Sequence, residues 1–168
     1  YYRDNEYRLT LPEEVRVRHI LLSWKPLGKP DDRAALFEQM QAILEKALAG
    51  EDFAKLAEEY SDDSTRLHGG DVGFFRRGQM VPPFEAAAFA LIEPGDLSDI
   101  VETNYGLHIL RLEERKEAYL VPLDEIRDKL RAHISEEKVA KVEEEEKARL
   151  RAEAEIEILI PLERPKKN

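Results

Sequence analysis

The sequence contains no cysteine. This absence excludes disulfide cross-links and thiolate chemistry, and it leaves the redox compartment open. The chain also lacks an apolar run of eighteen residues and a basic-then-apolar leader, so its pattern predicts neither a membrane span nor a signal segment. Because it begins with Tyr1 and not with Met, we expect that it was cut from a longer chain that carried any signal or anchor.

The chain has fewer basic than acidic residues. The chain has 26 Lys and Arg residues against 36 Asp and Glu residues, which gives a net charge of -10. Such a protein repels a phosphate backbone on balance, so we expect no nucleic-acid partner. Its 168 residues, of which 42% are hydrophobic, are enough for one ordinary domain with a buried core plus an appendage.

The middle of the chain changes between strand and helix patterns. Residues 15–24 alternate, with Val15, Val17, His19 and Leu21 on one face, as a strand with one buried face requires. The next patterns predict a helix capped by Asp31 or Asp32 and stopped by Gly50, and then a helix from Phe53 to Tyr60. A short strand in "VGFF" and a helix from Phe84 to Leu91 follow. The last patterns predict strands at Asp99–Thr103 and Leu107–Glu113, joined by a tight "NYG" turn. This order predicts an α+β domain.

The composition changes again after residue 115. Leu123, Ile126, Leu130 and Ile134 form a narrow apolar stripe on a charged helix, and the final "EIEILIP" alternates like a strand. A single strand needs a partner edge for its backbone, so we expect this appendage to dock onto a missing region, onto the N-terminal "YRLTL", or onto a second copy of the chain. We therefore divide the chain into a linker at 1–14, a domain at 15–115 and a C-terminal helix and strand at 116–168.

Two histidines lie on the apolar side of the predicted strands. His19 shares its face with valines and leucine, and His108 shares its face with Leu110 and Leu112. One histidine on an apolar face is more often a hydrogen-bonded core residue than a catalyst. Two on the same side of a small sheet can satisfy each other, since a neutral imidazole has one donor and one acceptor. We predict a hydrogen-bonded pair, which either supports the fold or orients what lies over it.

The stretch "FFRRGQMVPPFE" places an apolar cluster beside two prolines. Met80 and Phe84 either fill the core or form soft and flat walls for a bound pyrrolidine ring. Asp63, in "YSDDS", has an equally good interpretation as a cap or turn residue. His68 and His133 do not have ligand spacing, so the sequence predicts no metal site.

Four stretches taken together identify a family. "VRHILL", "FAKLAEEYSDDS", "GGDVGFFRRGQMVPPFEAAAFAL" and "YGLHILRLEE", in this order, resemble the parvulin family of peptidyl-prolyl cis-trans isomerases over about Val15 to Glu114. The resemblance implies a four-stranded antiparallel sheet surrounded by helices and an isomerase (EC 5.2.1.8) that acts on proline-containing polypeptides without a cofactor. The flanks resemble those of bacterial extracytoplasmic foldases, which implies a periplasmic or membrane-anchored full-length protein.

The resemblance also implies roles for single residues. It assigns catalytic roles to His19, Asp63, Thr103 and His108, and proline-binding roles to Val72, Met80 and Phe84. In parvulins that select phosphate, a basic cluster follows the first strand, whereas Ser23 and Trp24 stand here, so strict phosphoserine or phosphothreonine selection is not expected. Two alternatives remain open: a chaperone or peptide-binding module with weak or no isomerase activity, and a structural spacer within a larger foldase.

Overall fold

A computed structural model describes residues 1–24 and 30–154, and the side chains of residues 1–24 and 33–154. The predicted strand at 156–160 and the side chains of the predicted caps Asp31 and Asp32 lie outside the described residues. The chain divides into two compact units, residues 1–120 and residues 121–168.

The first unit mixes short helices with two antiparallel sheets, as the sequence predicts. Its helices are α1 (Glu6–Leu9), α2 (Pro30–Leu48), α3 (Phe53–Tyr60) and α4 (Pro82–Ala90). Its strands are β1 (Thr10–Leu11), β2 (Glu14–Ser23), β3 (Asp71–Phe75), β4 (Val101–Glu102), β5 (Gly106–Lys116) and β6 (Tyr119–Leu120). The α+β class is confirmed, and the strand and helix order predicted for residues 15–115 matches the structure.

The main sheet has four antiparallel strands in the order β3-β2-β5-β4. Its two long central strands pair from Glu14 opposite Lys116 to Ser23 opposite Gly106. Within this register His19 lies opposite Leu110, and Leu21 lies opposite His108. The two histidines are therefore diagonal neighbours across the central strand pair, a separation that ring side chains can bridge.

Both faces of this sheet are buried. One face, which we call the α4 face, presents Val15, Val17, Leu110 and Leu112 to a cluster that includes α4. The other, which we call the α2 face, presents Ile20, Leu22, Leu107 and Ile109 to side chains of α2 and α3. Alternation along each strand sends successive residues to opposite faces, so β2 and β5 each contribute to two cores.

The helix ends follow local chemistry. Helix α4 begins at Pro82, two residues before the predicted start, because proline is tolerated in the first helical turn, where its missing N–H has no partner to lose. Helix α3 begins after Asp52, whose carboxylate accepts hydrogen bonds from the backbone N–H groups of Ala54 and Lys55. Gly50 has a φ of 93°, which agrees with its predicted role as a left-handed stop.

The turn between β4 and β5 closes without a positive φ at Asn104. Among the described residues only glycines have positive φ. Hydrogen bonds hold the turn: Thr103 N–H donates to the Gly106 carbonyl at 2.9 Å, and Tyr105 N–H donates to the Thr103 hydroxyl oxygen at 3.1 Å. A threonine side chain thus helps to close this turn.

The segment before β2 belongs to the first compact unit. Thr10 pairs with Leu120 and Leu11 pairs with Tyr119, which forms a two-stranded antiparallel sheet of β1 and β6. Residues on both sides of the predicted 15–115 domain are thereby joined. The structure divides the chain after Leu120, and the functional limits at residues 14 and 115 stay predictions.

The second unit contains a single described helix, α5 (Leu123–Glu153), which has no buried residue. Ile126, Leu130 and Ile134 are half-buried, and Leu123 is exposed. The apolar stripe ends near residue 134, but the helix continues through the acidic run. Ion pairs one turn apart, such as Glu143 with Lys147 at 3.9 Å, favour helix there. Within the described parts of the chain, no helix has the length and apolar character needed to span a bilayer.

Candidate active site

A cavity of about 450 Å³ opens on the α4 face of the sheet. Side chains from β2, β3, β5, α4 and the connecting loops line it. The lining consists of His19, Leu21, Asp63, Ser64, Thr65, Val72, Gln79, Met80, Val81, Phe84, Tyr105 and His108. Six of the seven residues predicted for the site line this cavity, and the seventh, Thr103, lies behind His108.

The two histidines form the floor of the cavity. The Nδ1 atoms of His19 and His108 are 3.4 Å apart, and their rings are nearly parallel, with centroids 5.6 Å apart. Both side chains are buried. The ring of Phe84 meets each imidazole edge-on, with both centroid distances at 5.5 Å. These contacts fix the orientation of both imidazoles, as aromatic edge-to-face packing does.

Hydroxyl groups hold both ends of the histidine pair. The Nε2 atom of His108 lies 2.8 Å from the Thr103 hydroxyl. At the other end, Nε2 of His19 lies 3.0 Å from the Thr65 hydroxyl and 3.3 Å from Oδ1 of Asp63. The Thr65 hydroxyl also donates to this same carboxylate oxygen at 2.6 Å. A continuous hydrogen-bonded relay therefore crosses the sheet from Thr103 to Asp63.

The carboxylate sets the direction of this relay. Because the Thr65 hydroxyl donates its proton to Asp63, its oxygen accepts from the Nε2–H of His19. The Nδ1 atom of His19 then accepts from Nδ1–H of His108, and Nε2 of His108 accepts from the hydroxyl of Thr103. We assign the Nε2–H tautomer to His19 and the Nδ1–H tautomer to His108 on this basis.

Burial keeps both imidazoles neutral. It lowers the pKa of His108 from 6.5 to about 4, with a further lowering from the charge that His19 would carry. Burial also lowers the pKa of His19, although the Asp63 carboxylate opposes this effect. Partial burial raises the pKa of Asp63, but hydrogen bonds from Thr65 and the nearby His19 outweigh it and hold that pKa below its usual value. At neutral pH the floor is uncharged and its rim carries one carboxylate.

Paired glycines bring the rim of the cavity close to β2. A 3₁₀ helix at Ser64–His68 begins after Asp63, whose side chain accepts from Thr65 N–H, and ends at Gly69. Gly70 follows with a φ of 76°, and its carbonyl accepts from His19 N–H at 2.9 Å. A Cβ at Gly70 would lie 2.2 Å from the His19 carbonyl oxygen. Only glycine allows this approach. Asp63 is thus both a cap, as one interpretation predicted, and a cavity residue.

The three predicted proline-binding residues lie along the same cavity. Phe84 is only 4% exposed and belongs to the hydrophobic cluster of the α4 face, while Val72 and Met80 are half-buried and pack against that cluster. Phe84 therefore fits both interpretations made from the sequence, since it fills the core and forms a wall. Met80 contributes less to the core and stands nearer to solvent.

A clamped loop carries Met80. Gly78 N–H donates to the Glu85 carboxylate at 2.5 Å, and Arg76 N–H donates to the Gln79 side-chain oxygen at 2.7 Å. Gly78 has a φ of 86°, which a side chain would strain. The first turn of α4 thereby holds the loop at the cavity.

Sequence reasoning missed several cavity residues, above all Thr65 and Tyr105. Thr65 stands two positions after Asp63, which is the spacing of a side-chain turn, so this signal was present. The position of Tyr105 depends on how the β4–β5 turn closes, and the sequence carries no direct signal of it. Within residues 1–24 and 33–154, no three acidic or histidine side chains converge as metal ligands.

This arrangement matches a known family. The rotamase family, described as the PPIC-type PPIase domain, matches residues 19–114, which is more than half of the chain. The chain belongs to the PPIC-type peptidyl-prolyl isomerase family. The matched range contains all seven predicted site residues.

Relatives and solved structures agree with this membership. The chain is 37% identical to the chaperone SurA of Ralstonia nicotianae over 144 residues, which cover 86% of this chain and 28% of SurA. It is 36% identical to the foldase protein PrsA of Halalkalibacterium halodurans over 160 residues, which cover 95% of this chain and 42% of PrsA. The chain thus spans less than half of these relatives.

A solved structure extends the likeness over most of the chain. It comes from work on two SurA-like chaperones of Campylobacter jejuni, the virulence factor PEB4 and the periplasmic protein Cj1289. The TM-score is 0.71 at 26% identity, and the match covers 94% of this chain and 60% of that chain. The resemblance to parvulins and to foldases found in the sequence is therefore confirmed.

Proposed function

We propose that this chain catalyses cis-trans rotation about X-Pro peptide bonds and thereby assists protein folding. One observation carries the proposal: a half-open apolar cavity, walled by Val72, Met80 and Phe84, lies directly over the His19–His108 pair. An apolar notch of this kind suits a pyrrolidine ring, and the polar groups at its edge suit the adjoining amide.

The reaction needs no covalent chemistry. Rotation about a peptide bond faces a barrier of about 18–20 kcal/mol because twisting breaks amide resonance, and uncatalysed X-Pro rotation is correspondingly slow. A site that binds the twisted amide better than either planar form lowers this barrier, and each gain of about 1.4 kcal/mol gives a tenfold rate increase. The walls hold the ring while the acyl side turns. No nucleophile or cofactor is required.

The surroundings of the amide favour the twisted form. The planar amide is the more polar form, so it loses more than the twisted form when it enters apolar surroundings. The carbonyl oxygen of the planar amide also carries more negative charge than the carbonyl oxygen of the twisted amide. The ionised Asp63 at the rim repels that charge. The neutral relay of His19, His108 and Thr103 keeps the floor rigid and without charge.

Phosphate selection is not part of the proposal. Among the described residues that line the cavity there is no Lys or Arg, and Asp63 would repel a phosphate group. Where phosphate-selecting parvulins carry a basic cluster, this chain continues with Ser23 and Trp24. We therefore propose a range of X-Pro substrates in unfolded polypeptides.

The setting of the activity is part of the proposal. Relatives named chaperone SurA and foldase protein PrsA, and a structural neighbour from work on two SurA-like chaperones, one of them described as periplasmic, support a full-length protein that works outside the cytoplasm, either periplasmic or membrane-anchored. Docking of the C-terminal segment within the chain, or onto a second copy, stays a prediction.

Exchange spectroscopy on a proline peptide tests the activity directly. Adding the intact chain should increase cis-trans exchange peaks of an X-Pro peptide, and resonances near the proline should broaden as the peptide binds. The matched control is the same peptide with alanine in place of proline, which should not broaden. Unchanged exchange at high enzyme concentration would contradict the proposed activity.

A binding module is the second candidate, favoured by the relative named chaperone. It predicts that the chain suppresses aggregation of an unfolded protein and that proline peptides broaden without faster exchange. Running the aggregation and exchange assays on the same preparation distinguishes the two candidates. A structural spacer would be inactive in both.

A further inference from the structure

Trp24 is the only tryptophan of the chain and stands directly after β2. Its indole Nε1–H donates to the Thr103 carbonyl at 2.8 Å, and its backbone N–H donates to the Tyr105 carbonyl at 2.9 Å. One half-buried residue therefore binds two carbonyl groups of the β4–β5 turn. The family resemblance assigns no role to this position.

The turn that Trp24 binds carries two parts of the candidate site. The Thr103 hydroxyl ends the histidine relay at 2.8 Å from Nε2 of His108. Tyr105, which is 62% exposed, forms part of the cavity wall. A displacement of this turn would move a relay partner and a wall residue together.

Besides the hydrogen bonds within it, the turn is supported, among the described residues, by only a short strand. Strand β4 has two residues, Val101 and Glu102, and it pairs with β5 at the end of the sheet order. Short strands with one neighbour are weakly held because half of their backbone groups have no strand partner. The indole bond supplies an attachment to β2, which lies on the other side of β5.

We propose that Trp24 is a positioning residue for isomerisation: it fixes the β4–β5 turn so that Thr103 holds His108 and Tyr105 closes the cavity wall. The inference rests on the isomerase function proposed above. Trp24 acts through the turn and does not line the cavity itself.

The test is Trp24→Phe, which keeps an aromatic ring and removes the indole donor. We expect kcat to fall roughly two- to tenfold, the effect of one lost hydrogen bond, with a smaller change in KM. The ¹⁵N resonances of the His108 imidazole should also shift, because its Nε2 atom loses a well-placed Thr103 partner. A purely structural role would lower stability and leave these resonances unchanged.

Arg33→Leu is the matched control. The Arg33 guanidinium lies over the indole ring, 4.4 Å from its centroid, and its described polar partner is Glu102 at 3.4 Å. Its loss removes a contact of Trp24 and an exposed ion pair with β4, which contributes little to stability, but leaves both hydrogen bonds from Trp24 to the turn. We expect wild-type kcat and wild-type His108 resonances in this variant.

The outcomes separate the two proposals. An inactive wild-type chain defeats the isomerase function, whereas an active wild type with a folded Trp24→Phe variant of unchanged kcat and unchanged His108 resonances overturns the role of Trp24. If that variant does not fold, the wild-type chain still gives a test. Saturation with a proline peptide should change Trp24 fluorescence, because a peptide in the cavity would contact Tyr105, whose carbonyl accepts from the Trp24 N–H, and unchanged emission would overturn the inference.

Discussion

The two faces of the central sheet use the same strands for different purposes. On β5, Leu107 and Ile109 point to the α2 face, while His108 and Leu110 point to the α4 face. The α2 face is packed with aliphatic and aromatic side chains, whereas the α4 face holds two imidazoles beneath a cavity. Alternation along a strand lets one face keep the fold while the other departs from ideal packing.

Placing two imidazoles on the α4 face costs little folding stability because their polar groups have hydrogen-bond partners. Buried imidazoles without partners would destabilise the fold. Here both rings have hydrogen-bond partners at each end, and among the described residues no buried side-chain nitrogen or oxygen lacks a partner. The comparison therefore predicts that the α2 face governs stability and that the α4 face governs turnover.

Met40→Ala should give the largest effect. The chain has two methionines, one on each face, and Met40 is 0% exposed in the α2-face cluster. We expect a loss of about 2–5 kcal/mol in the free energy of unfolding, measured by urea denaturation, because a cavity replaces the buried side chain. Turnover per folded molecule should stay at the wild-type value. A variant of full stability would contradict the division between the faces.

The second largest effect should come from acidification, which should lower folding stability through His108 on the α4 face. The pKa of His108 is lowered from 6.5 to about 4, so between these values the unfolded chain binds a proton that the folded chain does not. Folding stability should therefore fall as pH drops from 6.5 toward 4, by about 3 kcal/mol at most, and it should be unaffected by His108 above pH 6.5. Urea midpoints across this range measure the effect, and His108→Phe should reduce it to the contribution of His19, whose pKa is also lowered by burial.

Met80→Ala is the counterpart of Met40→Ala. Met80 is half-buried at the cavity, so its loss should change stability far less than the loss of Met40. We expect kcat/KM for an X-Pro peptide to fall roughly tenfold, which corresponds to about 1.4 kcal/mol of transition-state binding. Wild-type turnover in Met80→Ala would reject the assignment of this wall. Phe84→Ala is a weaker test, because Phe84 also fills the core.

Asp52→Ala should give the smallest change. Asp52 caps α3, a helix whose Phe53 and Leu56 belong to the α2 face. Losing this cap should cost about 1 kcal/mol of stability. Isomerase activity should not change, and a drop in activity at temperatures where the variant stays folded would show that the two faces are coupled.

Strand alternation was enough to predict that His19 and His108 share a face, because side-chain direction in a strand depends only on parity. The family motifs were enough to predict Met80 and Phe84 as walls of the cavity. The remaining site residues depend on contacts far apart in sequence: Thr65 reaches His19 across 46 positions, and Trp24 reaches Thr103 across 79. The periodicity of apolar residues within one element does not predict such contacts. The charged helix after residue 115 was predicted, and its acidic part is favoured by ion pairs and not by an apolar stripe.

The relay from Thr103 to Asp63 contains one hydrogen at each link, all aligned in the same sense. Moving the proton of one imidazole to its other nitrogen would leave two donors or two acceptors facing each other at the contact between the two Nδ1 atoms. His19 and His108 must therefore change tautomer together or not at all. The floor of the cavity consequently acts as a single switchable dipole, whose sign is chosen by a carboxylate at its edge.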